Sequence, residues 1–204
     1  MNKMPSTSIT EEEKRDILRV ARIYGDVPES AFTKLWPVMR VVRLHAGELL
    51  CRVNQQPAQE FLLLEGVVRT SLCDLHGRSV TFDFYQGPCA IAPAITRSKA
   101  NTSRVDCEAL SAAHVVVFGA DALSEAMLQN LDLATWGNAV LHRELIKRAD
   151  KEIALVSQSA SERLTAIYQD MPEVYRTVPQ HHLASYLGIT PVSLSRLRKQ
   201  LGKS

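Results

Sequence analysis

The sequence predicts an α+β protein in three parts: an N-terminal antiparallel β-roll preceded by helices, a long helix, and a C-terminal helix-turn-helix. Three observations carry that expectation. Residues 38–118 run in short β-prone stretches broken by Gly47, Gly66, Gly77 and Gly87. Residues 121–158 repeat apolar side chains at helical spacing. Residues 180–199 (QHHLASYLGITPVSLSRLRK) place Leu183, Leu187, Ile189, Leu194 and Leu197 around Gly188, where two short crossing helices need a wedge and a turn. The expected domains are 1–120 for the roll with its helices, 121–158 for the long helix and 159–204 for the helix-turn-helix.

Thr10 with Glu13 three residues on forms a capping box that starts the first helix, whose apolar side is Ile17, Leu18 and Ala21. A second short helix is expected over 28–35. The strand signals are VVRLHAGELL, EFLLLEGVVRTSL, HGRSVTFDFYQG and HVVVFG, with His76-Gly77 as a hairpin loop. In the long helix a break falls near 130–132. Leu141, Leu145, Ala149, Ile153 and Val156 make one apolar stripe, and Leu133, Trp136 and Val140 a second. One stripe can face the roll while the other pairs with a twin helix, which makes Trp136, Val140, Leu141, Leu145, Ala149 and Ile153 candidate dimer contacts. The same periodicity also allows both stripes to lie inside one subunit. A helix over 160–169 ends at Met171-Pro172.

In the terminal unit Ala184 lets the two helices approach closely and Gly188 supplies a positive φ. Thr190 reads as the N-cap and Pro191 as the N1 residue of the second helix. Residues 174–204 hold Arg176, Arg196, Arg198, Lys199 and Lys203 and no carboxylate; a formal net charge of +2 over 204 residues leaves residues 1–173 at −3. The attraction for phosphate is concentrated where the motif sits. A leucine-rich hairpin with a solvated basic face would share this pattern.

Charged residues at 23% and apolar ones at 46% describe a globular chain. No run approaches the roughly 18 apolar residues that cross a bilayer, and the N-terminus has no apolar leader, so no membrane association is expected and the reading points to the cytoplasm. Cys51, Cys73, Cys89 and Cys107 lie scattered without a CxxC pair, which suits reduced thiols in strands better than a disulfide framework or zinc site. The tandem His181-His182 resembles a metal pair, but adjacent helical residues point about 100° apart, and a backbone or phosphate contact is the more modest reading. GxSxG, HExxH, GxxxxGK[ST] and a strand-linked GxGxxG are absent; Asp83 and Asp106 could pair catalytically only by coincidence of folding. No catalytic set, metal or cofactor is therefore expected.

The order of roll, long helix and terminal helix-turn-helix resembles the CRP/FNR family of bacterial transcription regulators over nearly the whole chain. VPQHHLASYLGITPVSLSRLRKQL is similar to the family's DNA-reading element, ASERLTAIYQDMPEVYRTVP to the lead-in of a short subgroup, and HAGELL, FLLLEGVVRTS and FDFYQGP to the strands of its cyclic-nucleotide-binding domain. The resemblance implies a homodimer on palindromic double-stranded DNA, with RNA polymerase as a further candidate partner. Thr190, Val192, Ser193, Ser195, Arg196 and Lys199 are the exposed candidates on the second helix. Arg196 aligns with the base-contacting arginine, and Arg198 and Lys199 are assigned to phosphate.

Two departures follow. Nucleotide-binding members carry a Gly-Glu pair and, about ten residues later, an Arg with Ser or Thr. Here Ile91-Ala92 and Asn101-Thr102 stand in those places, which removes the ribose acceptor and the two-pronged phosphate contact and argues against cyclic AMP. Arg97, Lys99, Asn101, Thr102 and Arg104 form a candidate effector loop for another anion, or a solvated one. His45 and His76 read as turn residues rather than haem ligands. The chain also lacks the β-hairpin wing that follows the second helix in many members. The alternative is a sensor or dimerisation module without sequence-specific DNA binding.

Overall fold

The computed structural model describes residues 9–56, 58–92 and 101–201. Helix α1, Glu11–Ala21, starts from the capping box: Thr10 accepts from the Glu13 amide while the Glu13 carboxylate accepts from the Thr10 amide. It buries Ile17, Leu18, Val20 and Ala21. The second helical segment is a 3₁₀ turn, Glu29–Phe32, which seats the fully buried Phe32.

Eight strands follow among the described residues: β1 Arg40–Leu44, β2 Leu49–Cys51, β3 Gln59–Glu65, β4 Val67–Cys73, β5 Ser79–Gln86, β6 Cys89–Ile91, β7 Asp106–Ala109 and β8 Ala113–Gly119. They form two antiparallel four-stranded sheets, ordered β1-β8-β3-β6 and β2-β7-β4-β5. Phe61, Leu63, Val68, Tyr85, Ile91, Cys107, Val115 and Val117 fill the space between them. Gly66 makes the tight reversal from β3 to β4: its φ is +101°, and a Cβ there would strike the Ala112 carbonyl and Ala113. The hairpin expected at His76-Gly77 joins β4 to β5, with Asp74 accepting from the amides of His76 and Arg78.

The long helical stretch divides where expected, into α2 Ala120–Gln129 and α3 Leu131–Ser157. Asn130 ends one and caps the other by accepting from the Leu133 amide. At 27 residues, α3 spans about 40 Å. Its first half buries Leu133, Trp136 and Val140 against α1, Phe32, Leu62 and Val116. Trp136 stacks edge-on to Phe32 and donates its indole N–H to the Ala21 carbonyl at 3.0 Å. This corrects the expectation for two candidate dimer contacts: Trp136 and Val140, 4% and 8% exposed, are enclosed by their own subunit. Leu141 is half-buried on the same cluster. Leu145, Ala149 and Ile153 are exposed.

The terminal unit is α4 Ala160–Asp170, α5 Pro172–Thr177, α6 Gln180–Leu187 and α7 Pro191–Leu201. A second capping box, Ser159 with Glu162, opens α4. Met171-Pro172, expected as the end of a helix, also starts one: Pro172 is the N1 residue of α5, where its missing N–H leaves no bond unmade. Among the described residues no helix is long and apolar enough to cross a membrane.

Candidate nucleic-acid interface

Gly188 adopts φ 68° and ψ 30°, the left-handed conformation that ends α6 and turns the chain into α7. Thr190 caps α7 by accepting from the Ser193 amide at 3.1 Å, and the two hydroxyls lie 2.9 Å apart. Leu164, Ile167, Val174, Leu183, Ala184, Leu187 and Leu194 form the core, with Leu197 half-buried beside them. The wedge read from spacing is therefore the wedge that packs.

With Leu194 and Leu197 turned inward, Val192, Arg196 and Lys199 lie at i, i+4 and i+7 on the opposite side of α7, and all three are exposed. Thr190 is exposed at the helix start, while Ser193 and Ser195 are half-buried on its flanks. Arg198 is placed differently from its expected phosphate role. Its guanidinium sits 4.5 Å from the centre of the Tyr175 ring and donates to the Tyr175 carbonyl at 2.8 Å, so it ties α7 back to α5. Arg176 is paired with Glu173 at 2.9 Å. Among the described cations of this basic end, Arg196 and Lys199 are left facing outward on α7.

The helix-turn-helix does not hang free of the roll. Val67 and Phe84 belong to its core, and the Phe84 and Tyr186 rings lie 5.0 Å apart. The Thr81 amide donates to Ser185 Oγ at 3.0 Å. Arg69, 5% exposed, pairs with Glu108 through Nε at 3.0 Å and Nη2 at 2.8 Å, and its Nη1 lies 2.5 Å from His182 Nδ1. A guanidinium has only donors, so Nδ1 is the acceptor. Burial first, then the Arg69 charge, lowers the His182 pKa to about 4. Half of the tandem histidine pair is thus a latch on the roll.

A second set of contacts, missed from sequence, joins α3 to β5. Tyr85 donates to Glu144 Oε1 at 2.7 Å, and Arg148 meets the same oxygen at 2.8 Å. Lys147 pairs with the buried Asp83 at 2.9 Å, donates to the Phe84 carbonyl at 2.9 Å, and lies 4.1 Å from the Tyr85 ring centre. Lys151 donates to the Phe82 carbonyl and faces the Tyr186 ring; burial pulls its pKa down to about 8. Glu144, Lys147, Arg148 and Lys151 sit at i, i+3, i+4 and i+7, a readable helical face whose only available default was solvation.

Of the candidate effector loop, Arg97 and Lys99 lie outside the described residues. Asn101 is exposed with φ 57°, Thr102 is half-buried and Arg104 is exposed. Ile91, standing at a position where the nucleotide cassette would have Gly-Glu, is 3% exposed and part of the packing between the sheets. The void among Cys51, Thr70, Tyr85, Ile91, Ser103 and Cys107 measures about 10 Å³. That is room for about one water, against the 300 Å³ or more of a typical small-molecule site.

Solved structures share this fold. FixK2 of Bradyrhizobium japonicum matches with a TM-score of 0.69 at 19% identity, over 81% of this chain and 85% of that one. A CRP/FNR-family regulator of Eubacterium rectale matches with a TM-score of 0.68 at 14% identity, over 87% and 84%. The fold is that of the CRP/FNR regulators. The c-di-GMP-responsive global regulator CLP of Xanthomonas campestris shares the CRP/FNR arrangement with a TM-score of 0.66 at 12% identity, over 86% of this chain and 92% of its own. No family model and no curated protein matches the sequence. At these identities the CRP/FNR likeness describes the path of the chain, and the chemistry has to come from the residues themselves.

Proposed function

We propose that the protein is a homodimeric DNA-binding transcription regulator of CRP/FNR type, acting in the cytoplasm on a palindromic site and not responding to cyclic AMP. The observation that carries this is the outer side of α7, where Val192, Arg196 and Lys199 stand clear of a helix whose other side is fixed in the core. A helix so presented can enter the major groove, with Arg196 addressing a guanine and Lys199 a phosphate. Dimerisation is supported by the second half of α3. Leu145, Ile146, Ile153 and Val156 are 57%, 48%, 61% and 91% exposed, an apolar ridge left uncovered by the described residues of the subunit. Two such ridges packed together would set two α7 helices against half-sites about one helical turn apart.

A mobility shift on genomic fragments tests the reading, with Arg196→Ala alongside. Discrete complexes that the substitution abolishes are expected; salt-dependent smearing by both proteins would overturn it. Cyclic AMP at millimolar concentration is expected to leave the melting temperature unchanged, because Ile91-Ala92 and Asn101-Thr102 stand where the cassette would be. A clear upward shift would refute that part.

A further inference from the structure

Cys51 and Cys107 are far apart in the sequence, yet they stand directly opposite each other on β2 and β7. The row continues across the sheet, since Cys107 is opposite Thr70 on β4 and Thr70 is opposite Asp83 on β5. Directly opposed residues share one face of a sheet, and Cys51, Cys107 and Thr70 all line the same small void. Both thiols are free. The β2–β7 register slips by one residue between Leu49 and Cys51, so this pair sits at a bulge; opposed antiparallel residues have Cα atoms about 4.5 or 5.5 Å apart in a regular ladder, within the roughly 4.4–6.8 Å span that a disulfide bridges.

We propose that Cys51 and Cys107 are an oxidisable dithiol, closed to a disulfide by a small peroxide, and that this closure is a signal input to the roll. The two sulfurs are not equivalent. Both are buried, but Cys51, 7% exposed at the end of β2, lies nearer the surface than Cys107 at 1%. The Cys51 thiol lies 4.0 Å from Ser103 Oγ and 4.0 Å from the Val105 carbonyl; the neighbouring Cys107 holds the Cys51 pKa below that of a free thiol, while Cys51 and burial push that of Cys107 up. Cys51 is therefore the attacking sulfur. Its thiolate attacks one oxygen of hydrogen peroxide, the O–O bond breaks, and the departing hydroxide takes up the proton that Cys51 released, giving water and a sulfenic acid. Cys107 sulfur then attacks Cys51 sulfur, the S–O bond breaks, and the oxygen leaves as water with the Cys107 proton. Two thiols and one peroxide yield one disulfide and two waters.

The consequence reaches the helices through the same row. Thr70 is 4% exposed and its hydroxyl has no hydrogen-bond partner. Closure draws the Cys107 sulfur toward Cys51 and away from Thr70, whose neighbour Asp83 holds Lys147 of α3. Two strand spacings, roughly 10 Å, separate Cys107 from Asp83 across the sheet. This coupling rests on the regulator reading; the chemistry of the two thiols does not.

The test uses the full chain carrying Cys73→Ser, which removes the exposed thiol. After complete reduction it is treated with hydrogen peroxide over a time course, denatured, alkylated and mapped by mass spectrometry. The expected result is parallel loss of alkylation at Cys51 and Cys107 and a linked peptide lighter by two hydrogens. Cys51→Ser should leave Cys107 alkylatable, and Cys107→Ser should leave a Cys51 sulfenic acid that dimedone traps. Full alkylation of both cysteines, or their linkage to Cys89 instead, would overturn the proposal. DNA affinity measured on the same samples is expected to change about fivefold or more, within the usual range of allosteric coupling, and not at all in either serine variant. A linked peptide with unchanged affinity overturns the signal role, whereas a linked peptide in a protein that binds no DNA in either state overturns the regulator reading alone.

Discussion

Arg196 and Arg198 are two residues apart on α7, and the structure assigns them opposite sensitivities. Arg196→Ala removes an exposed side chain, so its effect on stability should stay within about 0.5 kcal/mol. If it contacts a base, affinity should fall by about 1 to 3 kcal/mol, roughly 5- to 150-fold. Arg198→Ala removes a charge-assisted bond to the Tyr175 carbonyl at 2.8 Å and a cation held 4.5 Å from the ring centre. Charged hydrogen bonds are worth about 1.5 to 3 kcal/mol and such cation–ring contacts about 0.5 to 1. Partial exposure of the side chain argues for the lower part of the combined range, about 2 kcal/mol. For a chain of this size that lowers the melting midpoint by roughly 4 to 8 °C. Melting curves and fluorescence anisotropy on one DNA duplex over a salt series measure both quantities. Arg198→Ala should bind DNA with an unchanged salt slope once folded. If instead it keeps the wild-type midpoint and reduces the salt slope by about one, Arg198 grips phosphate and the inward placement is wrong.

Three further outcomes follow from single side chains. His182 has a folded pKa of about 4 against 6.5 for the free group, because burial first, then Arg69 and His181, disfavour its charge, with Glu108 favouring it. The unfolded chain therefore takes up a proton that the fold refuses as pH falls from 6.5 to 4, and stability drops over that window; the melting midpoint of His182→Gln should fall less steeply there, and an identical slope would refute the assignment. Ile153→Glu, on the exposed ridge of α3, should convert a sedimenting dimer to a monomer with the helical signal intact, and a variant that remains dimeric would place the interface elsewhere. Gly66→Ala should cost more than the about 1 to 3 kcal/mol of an ordinary strained backbone position, because its Cβ meets main chain that cannot rotate away; an unchanged urea midpoint would contradict the turn geometry.

The helix-turn-helix was legible because its constraints are local: a wedge of leucines at fixed spacing, a glycine at the turn and a capped second helix all lie within twenty consecutive residues. The α2–α3 junction was legible for the same reason, Asn130 being an N-cap within reach of Leu133. Partners were not. Periodicity assigns Trp136 and Val140 to one face of a helix, but only the fold says that α1 and Phe32 cover that face. The misplacement of Arg198 has a traceable origin. Pro172 was read as a stop and not also as a start, so α5 was missing, and with it Tyr175, the residue Arg198 holds. The charged face of α3 was hidden by a sound default, that a run of Lys, Arg and Glu on a helix is solvated. Asp83 and Tyr85, some sixty residues earlier, make it an internal contact.

These contacts converge on β5, and the reason is its register. Thr70 faces Asp83 and Ser71 faces Thr81, so Phe82 is an extra residue, a bulge that breaks the alternation of the strand. From Asp83 onward the faces alternate normally. Tyr85 lies in the core of the roll and Phe84 in the core of the helix-turn-helix. Beyond the bulge, Thr81 falls on the same side as Arg69, where its hydroxyl accepts from the guanidinium at 3.3 Å and its amide holds Ser185. Without the extra residue Thr81 would share the face of Asp83 and Tyr85, and α6 would lose one of its attachments. One strand therefore grips α3 through Asp83 and Tyr85 and α6 through Thr81 and Phe84. A change inside the roll that moves β5 must act on both helices at once, because both are bonded to it. On the proposed function, that gives the roll a mechanical means of reorienting α7. The means depends on packing and register rather than on the size of any ligand.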